Sequence, residues 1–161
     1  MGLRDWVKEF GVLHAQARIG ALTLPERQKY LAGREELAAA LLAAQRLELK
    51  DGMMARQSVR VQRTLPADIT VDGVHERGMT LDISVGGFAA MLGPNAKVGD
   101  HAQVAIKLPG GEGLLESGAS VVNVRPHGGV FRVSFAFVDM PAAARERLGF
   151  LIFDVVLETF K

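Results

Sequence analysis

Cysteine is missing from this sequence of 161 residues, and its absence removes two kinds of structure at once. Without thiols the chain can form neither disulfide bonds nor thiolate metal sites. An apolar core must therefore stabilise it, and a globule of this length buries roughly 70% of the surface that its unfolded chain exposes. A chain without disulfides suits a reducing compartment, so we expect a cytoplasmic protein.

Long apolar runs are missing as well. The most apolar stretch, 148–157, has about ten residues and includes Asp154, whereas a membrane-spanning helix needs about 20. Charged side chains interrupt the first ten residues, where a signal peptide would begin its apolar core. We therefore expect no membrane span.

The sequence has no large excess of charge of either sign. Nineteen basic and 18 acidic residues give a net charge of +1, which argues against a general binder of polyanions, and we expect no nucleic acid partner. The local distribution is uneven, because the segment 52–67 contains no acid but includes Arg56, Arg60 and Arg63. A basic segment in a nearly neutral chain indicates a local anionic ligand.

Patterns typical of enzymes and metal sites are not found in the sequence. The four histidines lack the spacing and the neighbouring carboxylates of a metal site. They are His14, His75, His101 and His127. No serine or lysine lies in a recognisable nucleophile motif. We therefore expect a binding protein rather than an enzyme, with neither a metal nor a bound cofactor.

Residues 1–50 have the composition and periodicity of helices. One apolar stripe runs through Trp6, Phe10 and Leu13, and a second helix begins where Thr23 and Glu26 form a capping box. Such an extension packs on the main domain, provides a surface for dimerisation or for a partner, or is a mobile arm. The sequence leaves these three options open.

From residue 59 to 138 the pattern changes to short β-type runs separated by glycines. Several runs alternate apolar and polar residues, as half-buried strands do. The predicted strands are Val59–Arg63, Ala67–Val71, Gly78–Ser84, Phe88–Leu92, Ala102–Leu108, Leu115–Arg125 and Val130–Val138. Six or seven short strands with no helix between them indicate an antiparallel sandwich or a small closed barrel.

A last helix is predicted from Pro141 to Thr159, with Asp139 as its cap. Beyond Leu148 it is apolar on almost every side, so more than one face must be buried. The β-structure covers one face, and either the N-terminal helices or a second subunit, as in a homodimer, covers the rest. The chain thus divides into a helical extension, 1–50, and a β-domain, 53–161, whose closing helix spans 141–159.

An arginine pair is the first candidate for ligand chemistry. Arg56 and Arg60 are four residues apart, an offset that places them on one side of either a strand or a helix. Two guanidinium groups can hold phosphate oxygens or the O6/N7 edge of a guanine. The spacing is nevertheless common by chance and, taken by itself, is typical of a solvated strand edge.

A second candidate lies at the end of a predicted strand. Asp82 and Ser84 are two residues apart, so both side chains leave the same face. A carboxylate accepts hydrogen bonds from the N1–H and N2–H groups of guanine, and a hydroxyl donates to phosphate or base oxygens. Gly86 and Gly87 allow positive φ, which would turn their N–H groups toward an anion. By itself this turn is also typical of a hairpin.

Together the two segments resemble the PilZ domain family, whose signature is R-x-x-x-R followed by (D/N)-x-S-x-x-G. The matching segments are Arg56-Gln57-Ser58-Val59-Arg60 and Asp82-Ile83-Ser84-Val85-Gly86-Gly87. The resemblance covers about residues 53–160. It implies a six-stranded antiparallel barrel followed by a C-terminal helix, so the expected fold class is mainly β with flanking helices.

The resemblance also implies a ligand, cyclic di-GMP, and a downstream protein effector. The implied site residues are Arg56, Arg60, Asp82, Ser84, Gly86 and Gly87. Arg63 lies nearby but outside the motif, and we expect at most a supporting electrostatic role for it. The arginines lie on a segment that folds over the ligand, Asp82 and Ser84 read base and phosphate, and the glycines allow close approach. Two alternatives rank lower: a PilZ-type interaction scaffold that binds no nucleotide, and a small-barrel nucleic-acid binder.

Overall fold

The computed structural model describes residues 2–47 and 59–160. Arg56 and residues 51–52, which lie between the two predicted domains, are outside these residues. The chain forms two compact units, here called the helical unit (1–59 and 150–161) and the barrel unit (60–149). Among the helices that the structure describes, none combines the length and the hydropathy needed to cross a membrane.

Helices α1 and α2 open the helical unit, and they span Leu3–Arg18 and Leu24–Leu47. The predicted capping box at the start of α2 is confirmed. The backbone N–H of Thr23 donates to Oε1 of Glu26 at 2.9 Å, and the N–H of Glu26 donates to Oγ1 of Thr23 at 3.3 Å. The box satisfies two backbone donors that the first turn of a helix leaves unpaired.

Helix α3 spans Ala142–Glu158, close to the predicted bounds, but the cap expected for it is wrong. Asp139 has a φ of 54°, in the left-handed region, whereas an N-cap residue needs extended backbone. The first helical hydrogen bond instead runs from the N–H of Arg145 to the carbonyl of Pro141, at 3.0 Å. Pro141, which has no N–H to satisfy, therefore occupies the capping position.

Aromatic rings form the core of the helical unit. The ring centroids of Phe10 on α1 and Tyr30 on α2 are 5.4 Å apart, and Phe10 also meets Phe153 of α3 at 6.4 Å. Tyr30 stacks on Phe150 of α3 at 6.3 Å. The apolar C-terminal half of α3 is thus covered by α1 and α2 of the same chain, and the described residues give no support to a homodimer.

A polar network crosses this aromatic core. His14 is 4% exposed, its Nδ1 lies 2.7 Å from the hydroxyl of Tyr30, and its Nε2 lies 2.6 Å from Oδ1 of Asp154. A carboxylate can only accept, so Nε2 is the donor and Nδ1 accepts from the tyrosine. Asp154 also forms an ion pair with Arg18. The network joins α1, α2 and α3 through groups that are all hydrogen-bonded.

The described part of the barrel unit contains seven strands. They are β1 (Val61–Gln62), β2 (Pro66–Val71), β3 (Val74–Ile83), β4 (Gly87–Leu92), β5 (His101–Lys107), β6 (Leu114–His127) and β7 (Val130–Val138). Antiparallel neighbours follow the order β3-β2-β5-β6-β7-β4, and β4 pairs back onto β3. This closure gives a six-stranded barrel, with the short β1 paired to β3 outside it, and confirms the predicted fold class.

The apolar side chains of the alternating strands fill the barrel interior, as the sequence pattern predicts. In β7, Val133 and Phe135 are buried, whereas Arg132 and Ser134 are partly exposed. Phe135 stacks on Phe88 of β4, with ring centroids 4.8 Å apart. Because β4 lies between β3 and β7, polar residues on these strands come close to one another, and the candidate site lies there.

Candidate functional site

Asp82 lies in β3 directly after an irregularity in its pairing with β4. Thr80 pairs with Ala90 and Asp82 with Ala89, so β3 carries one extra residue between the two pairs, as in a β-bulge. The side chain of Asp82 is only 10% exposed. A buried carboxylate is costly unless charged or polar partners compensate it, so its partners define the site.

Arg60 is the first of these partners, and it joins the two halves of the sequence motif. It immediately precedes β1, whose residues Val61 and Gln62 pair with Ile83 and Asp82. This register brings Nη1 of Arg60 to 3.4 Å from Oδ1 of Asp82. Two residues that are 22 positions apart in the sequence thus face each other across one strand pair.

Arg132 is the second partner, and the sequence analysis did not identify it. It extends from β7, and its Nη2 donates to Oδ2 of Asp82 at 2.7 Å. This is the distance expected of a charge-assisted hydrogen bond. The alternation of β7 placed Arg132 on the face opposite the core, but the contact follows from the strand order β3-β4-β7, which alternation does not reveal.

The other carboxylate oxygen of Asp82, Oδ1, differs from Oδ2 in its hydrogen bonding. Oδ1 is buried and accepts no hydrogen bond from the residues that the structure describes. The guanidinium of Arg60 faces it at the longer distance of 3.4 Å. The site therefore contains a buried carboxylate with one oxygen hydrogen-bonded and the other available as an acceptor.

Ser84 closes the turn between β3 and β4. Its hydroxyl accepts the backbone N–H groups of Gly86 and Gly87, each at 3.2 Å, and donates to the carbonyl of Gly87 at 3.3 Å. In the described conformation both glycine N–H groups thus donate to Ser84, and their orientation toward an anion stays a prediction. The residue is 2% exposed, so its hydroxyl serves the turn.

Gly87 is needed for a reason that the sequence did not suggest. Its φ lies outside the left-handed region, so the expectation of positive φ is wrong there. A Cβ at this position would lie 2.0 Å from the carbonyl oxygen of Phe135. Glycine is required because β4 and β7 approach each other closely at the first residue of β4.

Thr80 anchors the segment that follows Arg60. Its Oγ1 donates to the carbonyl of Arg63 at 2.6 Å and accepts the N–H of Leu65 at 2.9 Å. The backbone N–H of Thr80 donates to the carbonyl of Leu65, also at 2.9 Å. The buried threonine thus holds residues 63–65 against β3. Arg63 takes part in this contact through its backbone carbonyl.

The acidic and histidine side chains of the described residues are dispersed over the structure. No group of three or more His, Asp or Glu side chains within residues 2–47 and 59–160 could hold a metal ion. His75 instead lies 3.3 Å from Asp68 in an exposed pair on the β2–β3 hairpin. The Asp82 side chain is contacted by Arg60 and Arg132.

Comparison with known proteins identifies relatives of the barrel. The family model of the PilZ domain matches residues 55–154. No curated protein sequence matches the chain. The comparisons indicate no catalytic family.

Several solved structures share the fold. The Bacillus subtilis inhibitor of motility, MotI/DgrA, aligns with a TM-score of 0.57 and 23% identity over 66% of this chain and 53% of its own. The PilZ domain of YcgR from Escherichia coli with c-di-GMP aligns at 0.54 and 19% identity, over 66% of this chain and 95% of its own. The K. pneumonia MrkH–c-di-GMP complex aligns with a TM-score of 0.56 and 19% identity, over 66% of this chain and 55% of its own. This chain thus spans about half the length of MotI and MrkH.

Proposed function

The chain belongs to the PilZ domain family, and from this premise we propose that it is a signalling receptor that binds cyclic di-GMP and has no catalytic activity. The proposed site comprises Arg56, Arg60, Asp82, Ser84, Gly86 and Gly87, with Arg63 nearby. The observation that carries the proposal is the contact between Arg60 and Asp82, at 3.4 Å, beside the Ser84–Gly87 turn. Two of the similar structures, those of YcgR and MrkH, include c-di-GMP.

The chemistry of these residues suits the ligand. Cyclic di-GMP carries two phosphodiester anions and two guanines, so its receptor needs cations for the former and an acceptor for the base N–H groups. Guanidinium groups fork onto phosphate oxygens or onto the O6/N7 edge of guanine. The buried Oδ1 of Asp82 supplies the acceptor.

Binding requires Arg60 to change partners. In the described conformation its guanidinium faces Asp82, and we infer that ligand phosphate or the guanine edge takes its place. Ser84 and the two glycines support this exchange by fixing the turn that follows Asp82, since the serine hydroxyl accepts hydrogen bonds from both glycine N–H groups.

The proposed output is a change in the surface offered to a protein effector. Val61 and Gln62 pair with β3, and the carbonyl of Arg63 accepts a hydrogen bond from Thr80. The C-terminal end of the arginine-containing segment 53–63 is therefore attached to the barrel. We infer that cyclic di-GMP orders the segment from Met53 onward against residues 82–87. A downstream protein would then recognise the ordered segment.

Calorimetric titration of the full chain with cyclic di-GMP tests the proposal. Arg56→Ala, Arg60→Ala and Asp82→Ala should each weaken binding at least tenfold, because each removes charge-assisted hydrogen bonds worth about 1.5–3 kcal/mol. Arg77→Ala is the matched control, since that side chain is 87% exposed and pairs with Asp68 on the β2–β3 hairpin. Absence of binding to the unchanged chain, or unchanged binding in all three site variants, would overturn the proposal.

A further inference from the structure

Arg132, which lies outside the sequence motif, donates a side-chain hydrogen bond to Asp82. It starts two strands away, on β7, and reaches Asp82 across β4. The register places Ala89 between Asp82 and Ser134 on one face of the sheet, with Arg132 two residues further along β7. Ala89, the residue of β4 between them, has only a methyl side chain.

The contact fixes the orientation of the carboxylate. A carboxylate with no bound oxygen can rotate about the Cβ–Cγ bond, which exchanges the two oxygens. Here the hydrogen bond of 2.7 Å from Nη2 of Arg132 holds Oδ2. Oδ1 is then directed away from β7, toward Arg60, where it is buried and accepts no hydrogen bond from the described residues.

From this geometry we propose that Arg132 is a positioning residue for nucleotide recognition. It holds Oδ2 of Asp82 so that Oδ1 accepts an N–H group of a guanine, and it does so without contacting the ligand. The inference rests on the proposed function, because it assigns the acceptor in that same site. It adds a residue of β7 to the binding machinery.

Charge supports the same role. A dianionic ligand approaching Asp82 would be repelled by an isolated carboxylate. Arg132 and Arg60 flank the carboxylate, with nitrogen–oxygen distances of 2.7 and 3.4 Å. When Arg60 turns to the ligand, Arg132 remains as the counter-charge of Asp82 and keeps the buried carboxylate compensated.

Arg125 provides a matched control one strand away. It is the direct partner of Arg132 in the pairing of β6 with β7, and it is exposed. Arg125→Ala therefore makes the same change of charge at nearly the same place. A general effect of removing one positive charge from this face of the sheet would appear in both alanine variants, whereas a positioning role would appear in Arg132→Ala alone.

Titration calorimetry on the full chain with cyclic di-GMP tests the proposal through Arg132→Ala, Asp82→Asn and the double variant. Arg132→Ala should weaken binding about tenfold, and the double variant should bind no more weakly than Asp82→Asn. Arg132→Lys should recover most of the affinity, because an ammonium can still donate to Oδ2, and Arg125→Ala should stay within twofold of the unchanged chain. Urea unfolding of each variant verifies that it is folded.

The outcomes separate this inference from the proposed function. No binding by the unchanged chain would overturn both. Binding by the unchanged chain together with equal affinity of Arg132→Ala would overturn the positioning role and leave the receptor intact. Losses that multiply in the double variant would show that Arg132 contacts the ligand directly, which also contradicts the proposal.

A spectroscopic measurement covers the case in which Asp82→Asn binds too weakly to titrate. In the ¹⁵N-labelled full chain, the guanidinium N–H signals of Arg132 should show slow hydrogen exchange before ligand is added. They should keep this protection when cyclic di-GMP saturates the site, because the bond to Asp82 persists. Loss of protection on ligand addition would mean that Arg132 leaves the carboxylate, and would contradict the positioning role.

Discussion

Two residues of this chain are fixed by neighbours far away in the sequence. Gly87 is one of them, because a Cβ there would meet the carbonyl oxygen of Phe135 at 2.0 Å. The obstructing atom belongs to the backbone of a paired strand, so it cannot move aside as the end of a flexible side chain can. The glycine of the motif therefore serves the closure of the barrel beside the site.

Gly87→Ala should consequently destabilise the chain by about 3 kcal/mol, the upper end of what overpacking usually costs. Urea unfolding followed by far-UV circular dichroism measures the effect. Gly93→Ala is the matched control, since the atoms nearest to a Cβ there would be those of the Glu76 carboxylate, at 3.5 Å or more. If the two variants have the same stability, the close approach of β4 and β7 does not set the requirement for glycine.

His14 is the second such residue, and its burial has a consequence for pH. Desolvation by burial, together with the charges of Arg18 and Arg34, lowers the pKa of His14 from 6.5 to about 4. The unfolded chain therefore binds more protons than the folded chain between these two pH values. The contribution of His14 to stability is present above pH 6.5 and is lost as the pH falls toward 4.

Between pH 7 and pH 5 this effect should reduce the stability of the helical unit by about 2 kcal/mol. Trp6 is the single tryptophan and stacks on Phe10 with ring centroids 5.5 Å apart, so its fluorescence during urea unfolding reports on this unit. His14→Gln should remove most of the pH dependence, and His127→Gln, at the exposed end of β6, should retain it. An unchanged pH dependence in His14→Gln would contradict the account.

Among the elements, strand β3 contributes most to the site. It pairs with β2 along its first half and with β4 and β1 at its end. The bulge lies between Thr80 and Asp82, two residues with different roles. Thr80 holds the backbone of residues 63–65, and Asp82 provides the carboxylate that Arg60 and Arg132 face.

Thr80→Val tests the first of these roles, because valine keeps the shape and removes the hydroxyl. The carbonyl of Arg63 and the N–H of Leu65 lose their partner, which should cost about 1–3 kcal/mol in the free energy of unfolding. A looser segment should also weaken the proposed binding of cyclic di-GMP several-fold. Urea unfolding and calorimetry measure the two effects, with Thr70→Val on β2 as the control. A Thr80→Val variant as stable as the Thr70→Val variant would contradict the anchoring role.

At the scale of the whole molecule, the sequence predicted the architecture well because its signals are local. Alternating runs bounded by glycines predicted Phe88–Leu92 as a strand, and β4 spans Gly87–Leu92. The capping box of α2 and the C-terminal helix were likewise readable from neighbouring residues. The family signature added the closure into a barrel, which local patterns leave open between barrel and sandwich.

Contacts between distant residues could not be predicted in the same way. Arg132 meets Asp82 across 50 positions, and His14 meets Asp154 across 140. Both contacts depend on the order of strands or on the packing of helices, and neither leaves a periodic trace in the sequence. The direction of the Ser84 hydroxyl could not be predicted either. The sequence of the turn is compatible with a hydroxyl that faces a ligand and with one that bonds to the turn itself, and the structure shows the second.

The location of the proposed site within the whole chain is open to a direct measurement. Backbone ¹H–¹⁵N spectra of the full chain, recorded while cyclic di-GMP is added, should show their largest shifts at Arg60 and along the turn 82–87. Amides of the exposed hairpin turn 72–73 should change little. Absence of shifts, or largest shifts confined to the helical unit, would contradict the assignment of this site to cyclic di-GMP.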